Sequence, residues 1–271
     1  MSLRDKKDVG TPVTQLSLDS AKVLAPAIFA KEPASYINRS RYHFTPTTEV
    51  IDHMADLGWV LTNAKQSSTK QDLRKYYGTH IVEFQHPELF IKGSDATIEA
   101  RPTVILLNSH DGSRPINFEM GLFRLVCSNG LVVKDRDFGG FKERHTKYDF
   151  TGIKNLIENK VTGLNEVVTK INRWNQVEMK PLDRRKFAEE AIKLRTKTDR
   201  VAEEYEIIEV LNPRRDEDSA NTLWHVFNRV QENLIKGGYQ MNNRTARAIT
   251  NPIADMEINQ GLWQVAEEYA L

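Results

Sequence analysis

Basic and aromatic residues alternate in three stretches of the chain, and their combination could bind nucleic acid. The stretches are "SYINRSRYHF" at 35–44, "DLRKYYGTH" at 72–80 and the segment 122–147. The third contains six Lys or Arg residues against three acidic residues, a local net charge of +3. Guanidinium and ammonium groups bind phosphates, and exposed rings stack on unpaired bases. The pattern therefore predicts a surface for single-stranded nucleic acid.

Ten side chains are candidates for this surface. Tyr42 and Phe141 are the candidate stacking rings. The candidate phosphate contacts are Arg39, Arg41, Arg74, Lys75, Arg136, Lys142, Arg144 and Lys147. The alternative interpretation is that the rings pack into the core while the charges stay in solvent. Spacing alone does not decide between the two.

The residues that usually carry catalysis or bind metals are scattered along the chain. The seven histidines include no HxxxH or HExxH pair. His80 and His86 flank a predicted strand, but Glu83 between them projects from the opposite face. No Walker loop, dinucleotide-binding fingerprint or nucleophile elbow occurs. We therefore predict no catalytic residue, no metal, no cofactor and no conventional enzymatic activity.

Three glutamates leave a nuclease alternative open. Glu83, Glu99 and Glu119 fall in predicted strands, where converging carboxylates could hold the metal ions of a nuclease. The same acids would equally line the solvent face of a half-buried sheet. Cys127, the one cysteine, ends an apolar run and is expected to be a buried structural thiol rather than a nucleophile.

The composition is typical of a globular protein without an overall charge bias. The chain has 271 residues, of which 39% are hydrophobic and 28% are charged, with a net charge of +1. Attraction to phosphate must then come from local clusters. A single cysteine excludes an intrachain disulfide, and the sequence has neither a signal peptide nor an apolar run of about 20 residues. We expect a cytoplasmic protein with no membrane partner.

The first half of the chain must position these residues mainly with strands. Residues 1–17 are typical of a flexible arm, and a first helix is predicted near 18–30. In the next helix Thr45 is the predicted N-cap, with Pro46 as first residue and Gly58 after the end. Alternation and bounding turns predict strands near 59–64, 79–85, 96–109 and 115–128. Asn129-Gly130 is predicted to form the tight turn of a hairpin.

Helices dominate the second half. Apolar residues recur at helical spacing from 152 to 174, after Pro181, from 219 to 238 and from 252 to the end. A serine or asparagine near 219–221 is the predicted cap of the third of these helices, and Gly237-Gly238 its end. Residues 201–219 contain seven acidic residues and two Arg, a net charge of −5, and the segment 196–219 is predicted to be a loop.

These elements together predict an α+β fold. An antiparallel β-meander with helices packed on it is followed by a largely helical C-terminal half. We expect the arm 1–17 and then a single domain over 18–271, strand-rich over 18–150 and helix-rich over 151–271.

Three stretches resemble one protein family. They are "FEMGLFRLVCSNGLVV" at 118–133, "NTLWHVFNRVQENLIKGG" at 221–238 and "INQGLWQVAEEYAL" at 258–271. They are similar to the phage- and plasmid-encoded family built on the domain of unknown function nine-three-two, and the similarity extends over most of 40–271. The residues that match its two motifs are Arg124, Cys127, Ser128, Asn129, Gly130 and Leu131, and then Thr222, Trp224 and Asn228. The resemblance implies a mobile-element setting and no known reaction.

The order of elements is also similar to that of the single-strand annealing recombinases of the Redβ, RecT and Erf kind. A helix that ends in "LGW" at 57–59 precedes an antiparallel meander and a long helix. This resemblance implies rings or filaments that hold single-stranded DNA in a basic groove without a cofactor-driven step. It concerns architecture and type of activity, and it assigns no individual residues.

Three functional hypotheses follow. The first is a DNA-transaction protein of a phage or plasmid that binds single-stranded DNA as a homo-oligomer during recombination or replication, with or without annealing. The second is a non-catalytic interaction protein that engages a host factor in anti-defence, through the acidic segment 201–219 and the C-terminal helices. The third is a metal-dependent nuclease that uses the strand carboxylates.

Overall fold

The computed structural model describes most of the chain as two compact units. The described residues are 12–38, 42–66, 71–90, 100–124, 129–132, 141–143 and 150–270. The first unit comprises Met1–Ile91, Ala100–Phe123 and Asp137–Leu164, and the second comprises Lys92–Glu99, Arg124–Arg136 and Asn165–Leu271. The expected single domain over 18–271 stays a prediction.

An antiparallel sheet forms the centre of the first unit. Its strands β1 (Val60–Gln66), β2 (His80–Gln85), β3 (Ala100–Asn108) and β4 (Ile116–Arg124) lie side by side in chain order, and β6 (Phe141–Glu143) pairs with β4. Every residue of β3 is buried, so the sheet is covered on both faces there. The predicted α+β class and the meander are confirmed.

The register of the first two strands contains one irregularity. Val60 lies opposite Gln85 and Gln66 opposite His80, with a shift between Leu61 and Asn63. At that shift the Thr62 hydroxyl donates to the Glu83 carbonyl at 3.1 Å, so that a side chain bonds a backbone group of β2. On the outer side of β1, the Leu16 N–H donates to the Leu61 carbonyl at 2.8 Å. Residues 12–17 of the predicted arm are therefore attached to the sheet at Leu16.

Helices of the first unit lie near the sheet, and one of them begins later than predicted. They are α1 (Leu18–Leu24), a 3-10 helix (Pro26–Phe29), α2 (Thr47–Asp56), α3 (Asp72–Tyr77) and the first part of α4 (Phe150–Trp174). Pro46, rather than Thr45, is the N-cap of α2, so the predicted cap was wrong. Gly58 adopts a φ of 81° just after α2, as the predicted end requires.

A buried polar cluster connects α2 to β2 and β3. His80 is fully buried, and burial lowers its pKa from 6.5 to about 4, so the ring is neutral. Its Nδ1 donates to the Gly78 carbonyl at 3.0 Å, which leaves Nε2 to accept from the Thr47 hydroxyl at 2.8 Å. Asn108 Nδ2 and the Nε2–H of His110 both donate to the Thr47 oxygen, each at 3.1 Å. Thr47 thus uses its one donor and both acceptors in the core.

The second unit is mainly helical and is built around aromatic rings. It contains the rest of α4, α5 (Pro181–Thr196), α6 (Glu204–Leu211), α7 (Leu223–Lys236) and α8 (Pro252–Tyr269), the short strand β5 (Asn129–Val132), and the hairpin of β7 (Gln240–Met241) and β8 (Arg244–Thr245). The Trp174 ring lies 4.4 Å from Trp263 and 5.7 Å from Phe227, between ring centroids. Three helices meet at these rings. No helix in the described ranges has the length and apolar character needed to span a membrane.

Three predictions about this part of the chain were wrong. The segment 196–219 is not a loop throughout, because it contains α6 and a short 3-10 helix, Asp216–Asp218. The cap of α7 is Thr222, not a serine or asparagine. Asn129 and Gly130 belong to β5 rather than to a turn, and residues 125–128 before them lie outside the described residues. The predicted end of α7 at Gly237 is confirmed, with a φ of 66°.

Candidate nucleic-acid interface

The short helix α3 carries four consecutive exposed side chains. Leu73, Arg74, Lys75 and Tyr76 all lie at the surface. The helix has six residues, and its N-cap Gln71 makes no side-chain capping bond. Two backbone hydrogen bonds of 2.9 Å, from Lys75 N–H to the Gln71 carbonyl and from Gly78 N–H to the Arg74 carbonyl, define its single turn and its end. The helix therefore presents basic and aromatic side chains to solvent.

Tyr76 and Lys75 form a cation–π pair on α3. The Lys75 ammonium lies 5.2 Å from the centroid of the Tyr76 ring, within the range of a favourable interaction. The Tyr76 side chain is 47% exposed. The pair keeps a positive charge and a flat ring at one place on the surface.

A second exposed ring lies close to α3. Tyr36 is 61% exposed, and its hydroxyl donates to the Asp111 carbonyl at 3.2 Å. Partial burial and the Asp111 carboxylate raise the pKa of Tyr36, while the positive charge of Arg74 lowers it. The Arg74 charge thus acts on the pKa of Tyr36, although 37 residues lie between the two in the sequence.

The turn between β3 and β4, residues 109–114, makes hydrogen bonds both to the region of Tyr36 and to the end of α3. The Tyr42 hydroxyl donates to the Ser109 carbonyl at 3.0 Å, and the His110 N–H donates to the Tyr77 carbonyl at 2.7 Å. The Thr79 and Ser113 hydroxyls lie 3.3 Å apart. Together with the Tyr36 bond, these contacts bring Tyr36, Tyr42, Tyr77 and Thr79 to the same turn. We call Tyr36, Arg74, Lys75 and Tyr76 the basic–aromatic surface.

The turn is itself well defined. The Ser109 hydroxyl donates to the Arg114 carbonyl at 3.0 Å and accepts from the Arg114 N–H at 2.9 Å. Ser113 N–H donates to the Asp111 carboxylate at 3.0 Å, an Asx-type contact. Gly112 has a φ of 72°, and a Cβ added there would lie 2.9 Å from the Ile37 side chain. Glycine is therefore required at this point of the turn.

The ten candidate residues fall into three groups. Arg74 and Lys75 are exposed and belong to the basic–aromatic surface. Tyr42 is half-buried, with its hydroxyl bound to the turn, and burial raises its pKa. Phe141 and Lys142 have their backbone in β6, but their side chains are outside the described part of the structure. Also outside it are Arg39, Arg41, Arg136, Arg144 and Lys147.

Sequence reasoning did not single out two of the exposed rings or one further cation. Tyr36 and Tyr76 belong to the first two basic and aromatic stretches, yet the pattern gave no reason to prefer them over Tyr42 or Tyr77. Arg114 is exposed on the turn that binds both segments. Only the pairing of β3 with β4 brings its turn beside α3, and no local sequence signal reports that proximity.

The residues considered for metal or nuclease chemistry have separate surroundings. Glu83 forms an ion pair with Lys65 at 3.1 Å, and Glu119 accepts from the Asn117 amide at 2.9 Å. His86 packs edge-on against the Trp59 ring at 5.7 Å. Glu99 lies outside the described residues. Where the structure describes the chain, no three His, Cys, Asp or Glu side chains are grouped so as to hold a metal ion.

The helix motif that carries part of the family resemblance is structural. Thr222 caps α7, and its hydroxyl lies 2.6 Å from His225 Nδ1 and 3.2 Å from Asn175 Oδ1. Trp224 is buried, with its ring parallel to that of Phe227 at 6.1 Å. The buried Asn228 amide donates to the Trp224 carbonyl at 2.6 Å. These three positions start the helix and pack it into the second unit.

Fold and surface together define an α+β protein with an antiparallel sheet, a helical second unit and an exposed basic and aromatic patch. Residues 37–263 match the family model described as "Domain of unknown function (DUF932)", and the chain belongs to this family. The sequence resemblance to that family is thereby confirmed.

Two curated relatives cover nearly the whole chain. UPF0380 protein YafZ of Escherichia coli (strain K12) is 30% identical over 255 residues, which are 90% of this chain and 88% of the relative. UPF0380 protein YfjQ of the same organism is 31% identical over 256 residues, again 90% of this chain and 88% of the relative. No solved structure matches the chain significantly.

Proposed function

We propose that this protein binds single-stranded DNA through the basic–aromatic surface. The observation that carries the proposal is the convergence of two basic and aromatic stretches, distant in sequence, on the turn 109–114. Two exposed rings, Tyr36 and Tyr76, accompany Arg74 and Lys75 there. If the cations were only solvated surface charges, there would be no reason for exposed aromatic rings to lie beside them.

The chemistry of these groups fits unpaired strands better than duplex. Ring faces stack on bases only where the bases are not already stacked and paired. Arg74 and Lys75 supply phosphate contacts whose strength depends on salt. No part of this binding needs a cofactor or a catalytic group.

The wider proposal concerns the biological role. We infer a DNA-transaction protein of a mobile element that acts as a homo-oligomer in recombination or replication, in the bacterial cytoplasm. The support is the similarity of element order to annealing recombinases, together with a candidate single-strand surface. Annealing of complementary strands is the activity that would follow from such an assembly.

A charge-reversal variant tests the proposal. Arg74→Glu with Lys75→Glu should weaken binding to a labelled single-stranded oligonucleotide by at least about tenfold at about 50 mM salt, and should lower the salt slope by about 1.4, since two phosphate contacts are lost. Fluorescence anisotropy at several salt concentrations measures both quantities. Lys180→Glu with Lys186→Glu is the matched control, because both lysines are exposed and belong to the second unit. Equal binding by the two variants, or no binding at low salt, contradicts the proposal.

The acidic segment 201–219, on which the host-partner alternative rests, has both buried and exposed acids. Glu206 is buried and pairs with Arg200 at 2.8 Å, and the buried Asp218 carboxylate lies 3.5 Å from Arg215. Four further acids, Glu203, Glu204, Asp216 and Glu217, are exposed. Recovery of one stoichiometric host protein by a chain indifferent to DNA would favour that alternative.

A further inference from the structure

Gln66, the last residue of β1, bonds two helical elements at once. Its Oε1 accepts from the Ala27 N–H of the first 3-10 helix at 3.1 Å. Its Nε2 donates to the carbonyls of Arg74, at 3.1 Å, and Lys75, at 2.8 Å. One side chain thereby ties α3 to the sheet and to the 3-10 helix.

These bonds reach the end groups of two helices, and the Arg74 carbonyl accepts from the Gly78 N–H as well. The first N–H groups and the last carbonyl groups of a helix find no partner within it. Ala27 lies in the first turn of its helix, and Arg74 and Lys75 lie in the last turn of α3. Only an amide side chain accepts one bond and donates two in this way, since a carboxylate cannot donate and an ammonium cannot accept.

The helix α3 depends on such support more than a longer helix would. Helices of about 12 residues or fewer are marginal in water without tertiary contacts, and α3 has 6. Its outward residues are the basic and aromatic ones, which add no burial. The two hydrogen bonds from Gln66 to its carbonyls are tertiary contacts of the kind that such a short helix needs.

We propose that Gln66 is the positioning residue of the basic–aromatic surface. It holds α3 in the conformation in which Arg74, Lys75 and Tyr76 reach a single strand together. This inference rests on the proposed function. The affinity of a ligand that binds only the formed helix is proportional to the fraction of molecules in which the helix is formed. The number of contacts in the complex stays the same.

The test compares Gln66→Met with Thr62→Val. Methionine keeps the length of the side chain and removes its three bonds, whereas Thr62→Val removes one hydrogen bond from the same strand without touching α3. For Gln66→Met we expect single-strand affinity to fall about three- to tenfold with an unchanged salt slope. The Gly78 amide, which donates to the Arg74 carbonyl, should exchange its hydrogen faster. Thr62→Val should retain wild-type affinity.

The possible results separate this inference from the proposed function. Wild-type affinity in Gln66→Met, together with loss of binding on reversal of Arg74 and Lys75, overturns the inference and leaves the function in place. No effect of the charge reversal overturns the function itself. A reduced salt slope in Gln66→Met would mean that phosphate contacts are lost from the bound state, which also overturns a positioning role. If Gln66→Met does not fold, Gln66→Glu serves in its place, since it keeps the acceptor for Ala27 and loses both donors.

Discussion

Substitution of Tyr76 gives the most direct test of the single-strand proposal. Its ring is half in solvent, with the Lys75 ammonium at 5.2 Å. A ring held in this way loses little freedom when a base stacks on it. A half-buried aromatic residue such as Tyr42 would have to break its hydrogen bond to the Ser109 carbonyl first.

We predict that Tyr76→Ala weakens single-strand binding by about 5- to 100-fold, because each stacked base contributes about 1–3 kcal/mol. Tyr76→Phe should bind like the wild type, since it keeps the ring. Leu73→Ala is the control, because Leu73 is exposed on the same helix but cannot stack. Anisotropy titrations of the three variants measure their affinity for the single-stranded oligonucleotide. A loss of affinity in Leu73→Ala equal to that in Tyr76→Ala would contradict a stacking role.

His80 gives the protein a predictable response to acid. Its pKa is about 4 in the folded chain and 6.5 when unfolded, so the unfolded chain binds the proton first as the pH falls. The free energy of unfolding should therefore decrease from about pH 6.5 towards pH 4, by about 2 kcal/mol between pH 7 and 5 from this group alone. Urea unfolding of His80→Gln at pH 7 and pH 5 should show a free energy of unfolding that falls by about 2 kcal/mol less than in the wild type. His43→Gln, which alters an exposed histidine, should retain it.

Among the elements, α6 shows most clearly how a distant side chain defines a helix end. The buried Asn233 of α7 donates to the carbonyls of Val210 at 2.9 Å and Asn212 at 2.8 Å. Its Oδ1 accepts from Arg214 at 2.6 Å. At the other end, the Glu203 and Glu206 side chains form a capping box. Both ends of α6 are thus closed by side-chain contacts.

We expect Asn233→Ala to lower the free energy of unfolding by about 1–3 kcal/mol, because the carbonyls at the end of α6 and the Arg214 side chain lose their buried partner. Chemical unfolding measures the difference. Gln264→Ala, at an exposed position of α8, should change stability by less than about 0.5 kcal/mol. Equal stability of the two variants would mean that Asn233 is not needed to close α6.

The elements also show where sequence patterns succeed and fail. Runs of β-branched and aromatic residues between turn signals located the strands β1 to β4, including β3, which is buried throughout. The helix α6 was missed since its capping box uses Glu203 instead of the usual serine or threonine, and since the charge of Glu206 conceals a buried residue paired with Arg200. The helix α3 was missed because it has only six residues and no side-chain cap at Gln71. Of the candidate surface, Arg74 and Lys75 could be proposed from composition, whereas their nearness to Tyr36 required the turn 109–114.

For the whole molecule, the decisive property is its state of assembly. We predict that the mass in solution rises to a multiple of the 31.1 kDa chain when a single-stranded oligonucleotide of several tens of bases is added, because annealing-type proteins assemble along the strand. Light scattering coupled to gel filtration, with and without oligonucleotide, provides the measurement. Duplex of the same length is the control. A complex whose mass equals one chain plus one oligonucleotide would refute assembly and retain simple binding.

The hydrogen bond between Leu16 and Leu61 limits how the chain can be shortened. A strand at the side of a sheet offers unpaired backbone groups to other chains, which is a common origin of aggregation. The segment before α1 occupies the Leu61 carbonyl of β1. A version that starts at Leu18 exposes that carbonyl, whereas one that starts at Pro12 keeps it covered. For crystallisation or NMR work, a shortened chain should therefore retain residues 12–17, which precede the first helix.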